Sequence, residues 1–597
     1  MVKYKRVNYF TPKVLTLGFL SLLLLSACQQ SFGERFTSEK GVKIESLLPA
    51  DTFLFFKLGS RDGDQLANLK TLNGYFSNNP MGALEKGIRE IFRSELDLEG
   101  TGLEYQKDIA PMIGSNSELY FAFAPMKAGD SPLKKYPFTA MSALTLANSA
   151  PFELLIGKQV EKNMFKKADY NGQAYYILVD QSKENLYVTC LEDTVFLTDN
   201  EDDLKNGVDN WKTGKNLFAK NSAYQKIISK GYQPSVAFLY LDFAKLFEII
   251  STVNDSDSEF LAGFKAGMKT GLSQKNALDK IESEILLIKA ESEGLRFLVN
   301  IAAKDGSDLI ESSSFVPEKA AYLAGKIPAQ APIFYGEGSN LNIVYKEVLQ
   351  SAEWDAELKA NLSQIESFLK AQNLDLEKDI LSFLDKNFAL VFEDNTSMIP
   401  SFGFYADISS NSEAAVKLMT KIDQSLVKIY DQANKDIPGL FMFLNREEVL
   451  AGKLWKFKLN LSAILAQTPP EVADKFKEQK VEFYYGVLPE NILVFALKPD
   501  LEKIYGKSPT VSDSQEFKKT RGYFKENWLA VSFAPAQLFV YMDRLIEVFD
   551  ANASSMEELI GYQNIKAYIS PLKSFSFGNK VATKEAAHAE IFLHISK

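Results

Sequence analysis

The stretch LLPADTFLFFKLGS at residues 47–60 recurs as KIPAQAPIFYGEGS at residues 326–339. Leu48-Pro49-Ala50 matches Ile327-Pro328-Ala329, Phe55-Phe56 matches Phe334-Tyr335, and Gly59-Ser60 matches Gly338-Ser339, all at one offset of 279. Further pairs follow in the same order. LDLE occurs at residues 96–99 and 374–377 and KDI at 107–109 and 378–380, the shrinking offset marking an extra GTGLEYQ-like loop in the first half. Gly172 pairs with Gly452, and Gly214, Lys215, Ser222, Lys226, Ala244, Leu246 and Phe247 pair without gaps with Gly506, Lys507, Ser514, Lys518, Ala536, Leu538 and Phe539. Matches in one consistent order are the mark of tandem duplication. The repeated Pro stands where a loop enters a first strand, because its missing N–H is tolerated there, outside the ladder.

Each half alternates two kinds of segment. Runs such as TFLFFKL, ELYFAFA, QAYYILV, SVAFLYLDF and EILLIKA are short, aromatic and β-branched, and read as strands. LYVTCLEDTVFLT folds back at Glu192-Asp193 as an antiparallel hairpin. Helical stripes lie between strands: Leu84, Ile88, Ile91 and Phe92; then Trp354, Leu358, Leu362, Ile365 and Leu369; then Ala415, Leu418, Ile422, Leu426 and Ile429. The expected fold class is α+β: two tandem duplicated domains, each an antiparallel β-sheet with helices packed on one face. The expected boundaries are a signal at residues 1–27, a polar tether at 28–46, a first domain at 47–303, a linker at 304–326 and a second domain at 327–597.

The N-terminus sets an address. Lys3, Lys5, Arg6 and Lys13 precede an apolar run at residues 14–25 that is too short to span a bilayer, which needs roughly 20 apolar residues. Leu25-Ser26-Ala27-Cys28 closes it and resembles a bacterial lipobox, which implies cleavage before Cys28 and a lipid on its thiol and amine. Two or three acyl chains would make that anchor persistent, at about 0.8 kcal/mol per buried methylene. Gln29 in place of Asp favours the outer membrane in a two-membrane cell. Loss of the four basic signal residues takes the net charge from -10 to -14. An acidic chain without Lys/Arg clusters has no electrostatic reason to bind nucleic acid or an anionic membrane face. With Cys28 lipidated, Cys190 remains alone, so no intrachain disulfide forms, and its place in the apolar NLYVTC favours a structural thiol.

Catalytic constellations are sparse. The two histidines, His588 and His594, share a strand face with Glu590 and Phe592, and a solvated face accounts for them better than a His-Glu-His metal site. SPLK at residues 131–134 and 570–573 and KTG at 212–214 and 269–271 have the residue types of Ser-Lys enzymes, but not the helix start or the intervening S-x-N. VNDSDSE at 253–259 lacks the Gly and Glu of a calcium loop. Gly263, Gly267 and Gly271 fit a close-packed helix face, and GEGSNL at 336–341 lacks the last glycine of a dinucleotide fingerprint. No catalytic, cofactor or metal residue is assigned and no cofactor is expected.

At LPADTFLFF, TGLEYQKDIAPMIG and KIPAQAPIFY the chain resembles an uncharacterised family of exported bacterial proteins, a domain of unknown function. The residues that carry the likeness are Leu48 to Asp51, Thr101-Gly102-Leu103, Lys107-Asp108-Ile109, Pro111 and Gly114. The resemblance implies envelope export and a duplicated α+β fold, and transfers no activity. Gln330 stands in the second half where Asp51 stands in the first, so the acid is not a shared functional residue. The expected role is a non-catalytic binding or scaffold protein, anchored to the membrane at Cys28 and meeting an envelope protein or polymer. Its rivals are an envelope hydrolase using carboxylates or a Ser-Lys pair, and a carrier of hydrophobic cargo.

Overall fold

A computed structural model describes residues 44–76, 117–126, 138–179, 186–215, 217–228, 234–252, 280–306, 321–352, 356–371, 374–395, 397–436, 444–450, 452–461, 470–524, 531–549, 556–583 and 586–597, with a few isolated positions between them. The chain divides near residue 307 into two compact units.

The first unit holds strands β1 (Leu54–Leu58), β2 (Leu119–Pro125), β3 (Phe138–Thr145), β4 (Phe165–Tyr170), β5 (Gln173–Leu178), β6 (Tyr187–Leu191), β7 (Thr194–Thr198), β8 (Ala237–Asp242), β9 (Ile281–Glu291) and β10 (Gly294–Ala303). Its helices are α1 (Gly63–Asn73), α2 (Ala150–Glu161), α3 (Glu201–Thr213), α4 (Ser222–Ile228) and α5 (Phe243–Thr252). The strands pair, all antiparallel, in the order β10-β9-β8-β1-β2-β3-β7-β6-β5-β4.

The second unit holds β11 (Pro332–Ser339), β12 (Asn387–Glu393), β13 (Ser401–Asp407), β14 (Leu444–Val449), β15 (Leu454–Leu459), β16 (Val481–Leu488), β17 (Ile492–Leu497), β18 (Val531–Phe533), β19 (Leu572–Thr583) and β20 (Ala586–Ile595). Its helices are α6 (Leu341–Ala352), α7 (Ala356–Ala371), α8 (Ser412–Asp436), α9 (Pro470–Phe476), α10 (Leu501–Ile504), α11 (Gln515–Gly522), α12 (Pro535–Phe549) and α13 (Met556–Ile569). The order is β20-β19-β18-β11-β12-β13-β17-β16-β15-β14, again all antiparallel. It coincides with that of the first unit strand for strand.

The repeated phrase begins each unit's first strand, with one correction to its register. Phe55 faces Ala122 and Tyr335 faces Val391, and both rings are fully buried in equivalent cores. Tyr335, not Phe334, is therefore the counterpart of Phe55. The second copy is one residue longer before its strand, and a β-bulge between Pro332 and Phe334 absorbs the extra residue. Without the bulge every later side chain would point to the wrong face. Both copies also start earlier than their composition suggests. Short 3-10 turns at Ile44–Leu47 and Leu323–Gly325 plug the cores, so Ile44 and Leu323 belong to the fold, not to tether or linker.

The KDI repeat has a matching role. Asp108 N–H donates to Glu104 O while Glu104 N–H donates to the Asp108 carboxylate, both at 2.8 Å. Asp379 and Asp375 repeat the exchange at 2.8 and 2.7 Å. The aspartate closes one wide turn, so the motif is a folding element. Gly172 follows Asn171 at the β4–β5 hairpin, both in the left-handed region as a tight I′ turn requires.

The second unit's sheet is not covered on one face only. In the second unit Tyr484 joins the core built on Tyr335, Tyr405 and Phe517, while its neighbour Tyr485 points the other way, into a core with Trp455, Leu418 and Met419 of α8. Continuous apolar runs such as ILVFAL in β17 need cover on both faces, which α11 and α8 provide.

Candidate functional site

One end of the second unit's sheet carries a row of polar side chains where a core would be expected. Glu393 ends β12 and faces Ser401, which begins β13. Lys498 follows β17 next to Ser401, and its N–H donates at 3.0 Å to the carbonyl of Glu482 on β16. All four are buried, Glu393 at 4% exposure and Lys498 at 8%. Strand alternation places them on the Tyr335 face, and the returning loops keep water largely away.

These loops form a cleft of about 480 Å³ over the row. Its walls include Gln330 of the repeated phrase, Asn395, Ser397, Gln479, Lys498 and Ser508. The Asp394 N–H donates at 3.1 Å to Ala331 O, and the Met398 N–H donates at 3.2 Å to Gln479 Oε1, fastening the loop after β12 to both sides. The volume lies within the range of small-molecule sites, about 300–1,000 Å³.

The charges beneath and beside the cleft are matched. Lys498 Nζ donates to Glu393, whose other oxygen accepts from the Gln330 N–H at 2.5 Å. Arg544 of α12 donates to Asp394. Glu482 accepts from the Asp500 N–H at 2.7 Å and from Tyr484 Oη at 2.8 Å. Burial, then hydrogen bonds to Glu502 and Glu482, holds the Tyr484 phenol well above its ordinary range. Lys480, at 2.7 Å, and Lys503 bring the Asp500 carboxyl down to about 2. The Tyr405 ring packs against Gly403, where an added Cβ would come within 2.6 Å of it. Its fully buried hydroxyl has no partner among the described residues. Burial and then the Glu393 charge raise its pKa.

The first unit does not repeat this chemistry. By register, Ala124, Thr139 and Asn200 occupy the places of Glu393, Ser401 and Lys498. Asn200 instead caps α3, accepting from Asp202 N–H and Asp203 N–H at 2.9 and 3.1 Å. The first unit's buried charges lie elsewhere: Lys57 reaches Glu118 at 3.4 Å, and Glu118 also takes Arg61 at 3.1 Å and Tyr120 Oη at 2.6 Å.

The residues singled out by sequence lie away from the cleft. Cys28, the first SPLK, the second KTG, the helix stripe at 84–92, the acidic loop at 253–259 and the glycine stripe at 263–271 lie outside the described residues. Cys190 is half-buried on β6, and burial, then Glu153 and Asp193, pushes its thiol up to about 12, so it stays protonated. In the second SPLK, Lys573 donates to the backbone oxygen of Ser570 at 3.0 Å, while the Ser570 hydroxyl donates to Ala567 O. Lys212 and Gly214 end α3. Gly336 and Gly338 lie under the rings of Phe334 and Phe388, at 2.9 and 2.8 Å from where a Cβ would stand. The histidine face is not solvated as expected: Tyr523 stacks on Phe592 with centroids 3.8 Å apart, and His594 Nε2 meets Lys519 Nζ at 2.9 Å. His588 stands 3.6 Å from Glu590. Among the described residues no three His, Cys, Asp or Glu side chains gather to hold a metal.

A family model described as "Protein of unknown function (DUF3352)" matches residues 15–595. No curated protein matches the chain. Among solved structures, two are similar: crystal form III of TP0453 at 8% identity and crystal form I at 9%, each covering 45% of this chain and 82% of that one with a TM-score of 0.22.

Proposed function

The chain belongs to the family DUF3352, and on that premise we propose that it is an exported, lipid-anchored envelope protein, built by duplication, that binds and does not catalyse. The observation that carries the reading is the cleft over the Glu393–Lys498 row, present in the second unit and replaced by Ala124, Thr139 and Asn200 in the first. Two carboxylates at the cleft, Glu393 and Asp394, are each held by a cation, which suits gripping a ligand better than attacking one. The coincident strand orders support duplication, with one copy kept as scaffold. The anchor rests on Cys28 and the signal before it. The expected partner is an envelope protein or polymer.

In-cell photo-crosslinking tests the binding role. A photoreactive residue at exposed Gln330 should capture a partner that one at exposed Lys166 of the first unit does not. Equal capture at both places would refute the assignment, as would turnover of envelope substrates that a single carboxylate or serine substitution abolishes. Cys28→Ala should release the protein from membranes, and continued membrane association would refute the anchor.

A further inference from the structure

The cleft has more donors than its own acceptors use. An ammonium carries three N–H donors, and Lys498, 8% exposed, meets a single acceptor among the described residues, Glu393. Gln479 uses its carbonyl oxygen for Met398, and its NH₂ group meets no described partner. A ligand for this place must bring acceptor oxygens.

Charge narrows the class. Glu393 cancels Lys498, and Arg544 cancels Asp394. Of the other two charged wall residues, Lys480 pairs with Asp500 at 2.7 Å and Glu478 stands exposed to water, where a charge contributes little. An incoming ion would therefore lose its hydration against charges that are already paired or screened. A neutral ligand loses far less on entry. Gln330 and Ser508, whose side chains make no described hydrogen bond, can each donate and accept at the rim. Pro328, Pro499 and Pro509 add flat C–H surfaces to the same walls.

We propose that the cleft of the second unit binds a neutral saccharide, whose ring and hydroxyl oxygens accept from Lys498 and Gln479 and whose hydroxyls donate to Glu393 and Gln330. The proposal rests on the binding reading above and names the chemistry of what is bound. Hydroxyl groups, which both donate and accept, match a wall made of an ammonium, a carboxylate and amides without adding charge.

Calorimetric titration of the purified full chain against three matched trisaccharides tests it. Neutral N,N′,N″-triacetylchitotriose is expected to bind at least tenfold more tightly than its cationic deacetylated form or than anionic trigalacturonate. Gln479→Ala, a half-exposed position, is expected to weaken that binding at least fivefold with the circular dichroism spectrum unchanged. The charge-neutral double variant Glu393→Gln/Lys498→Met gives a second reading of the same wall and is expected to weaken it as much. Comparable affinity for a charged trisaccharide overturns the charge argument, and undiminished binding by both variants overturns the site. If neither triacetylchitotriose nor maltotriose binds while Gln330 crosslinks to a partner, the saccharide assignment fails and the broader binding role stands.

Discussion

Lys498→Met should be among the most damaging single substitutions in the second unit. The change keeps length and apolar bulk but leaves Glu393 at 4% exposure with one remaining donor, the Gln330 N–H at 2.5 Å. Removing one partner of a buried ion pair costs about 3–5 kcal/mol, because the other charge stays dehydrated and uncompensated. A domain's whole stability is about 5–15 kcal/mol, so the loss is a large fraction of it. Hydrogen exchange followed by mass spectrometry on peptides spanning β12 and β17 reads the second unit without interference from the first. Exchange through opening should be faster by roughly 150- to 5,000-fold, at a tenfold change per 1.36 kcal/mol. Glu393→Gln/Lys498→Met removes both charges and leaves an amide oxygen for Gln330, so most of the loss should return. A single-variant cost below about 1 kcal/mol, the range of exposed pairs, would refute the buried-pair reasoning. So would a double variant as unstable as the two singles summed.

Three further outcomes follow from the same geometry. The Asp500 carboxyl should titrate near pH 2 in a carbon-13 NMR experiment: because its folded value is depressed, its ion pairs support the fold above the ordinary carboxylate range and cease to as pH falls through about 2. Lys480→Ala with Lys503→Ala should move that titration up toward the ordinary range, and an unmoved midpoint would contradict the assigned cause. Cys190, with a thiol at about 12, should react with iodoacetamide at pH 8 more than about a hundredfold slower than a free cysteine, whose thiol ionises near 8.5; labelling at the free rate, read by intact mass, would show a reactive thiol. Asp108→Ala and Asp379→Ala should each cost about 0.5–2 kcal/mol, as loss of a helix cap does, since each removes one side-chain bond to a backbone N–H. Calorimetric melting checks this, and a cost in one copy alone would deny the motif its shared role.

Much of the fold was legible because its signals are local. The hairpin at Glu192-Asp193 is there, with Cys190 facing Val195 and Leu191 facing Thr194. The stripe from Ala415 to Ile429 is helix α8, and the repeated phrase does open the first strand of each unit. What failed depended on contacts between distant residues. Register in the second phrase shifts by one at a bulge that is invisible in a string, and the strand pairing and the burial of Tyr335 reveal it. Two-sided cover of the sheet was missed although β17, apolar at every position, carried the signal. The cleft could not be found by spacing at all. Glu393 and Lys498 lie 105 positions apart and meet because β12, β13 and β17 are neighbours in the sheet. The available hint was weaker: FALVFED and ILVFALK each end an apolar strand on a charge.

Equivalent places in the two units show how one scaffold carries different polar chemistry. By register Lys57 and Glu118 in the first unit correspond to Glu337 and Asn387 in the second. The first couple is an ion pair at 3.4 Å, while in the second Asn387 Nδ2 donates to Glu337 at 2.6 Å and Leu323 N–H at 3.1 Å. Burial raises the Glu337 pKa, and hydrogen bonds from Tyr335, Leu323, Asn387 and Ala324 oppose that rise without abolishing it. A tyrosine hydroxyl reaches the carboxylate in each unit, Tyr120 to Glu118 and Tyr335 to Glu337, from two residues away along the same strand. The place in the sheet therefore demands a satisfied polar couple, while the sign and owner of the charge are free to change. At the other end of the same strands no such demand exists, since Ala124 and Thr139 fill it in the first unit with nothing to neutralise. Glu393 and Lys498 therefore form a buried pair there that the architecture does not require. A buried pair is weak evidence for stability, because well-packed apolar residues often do as well or better. Its presence beneath a cleft, with ammonium donors turned to no described acceptor, is accounted for by what enters that cleft more readily than by what holds the sheet together.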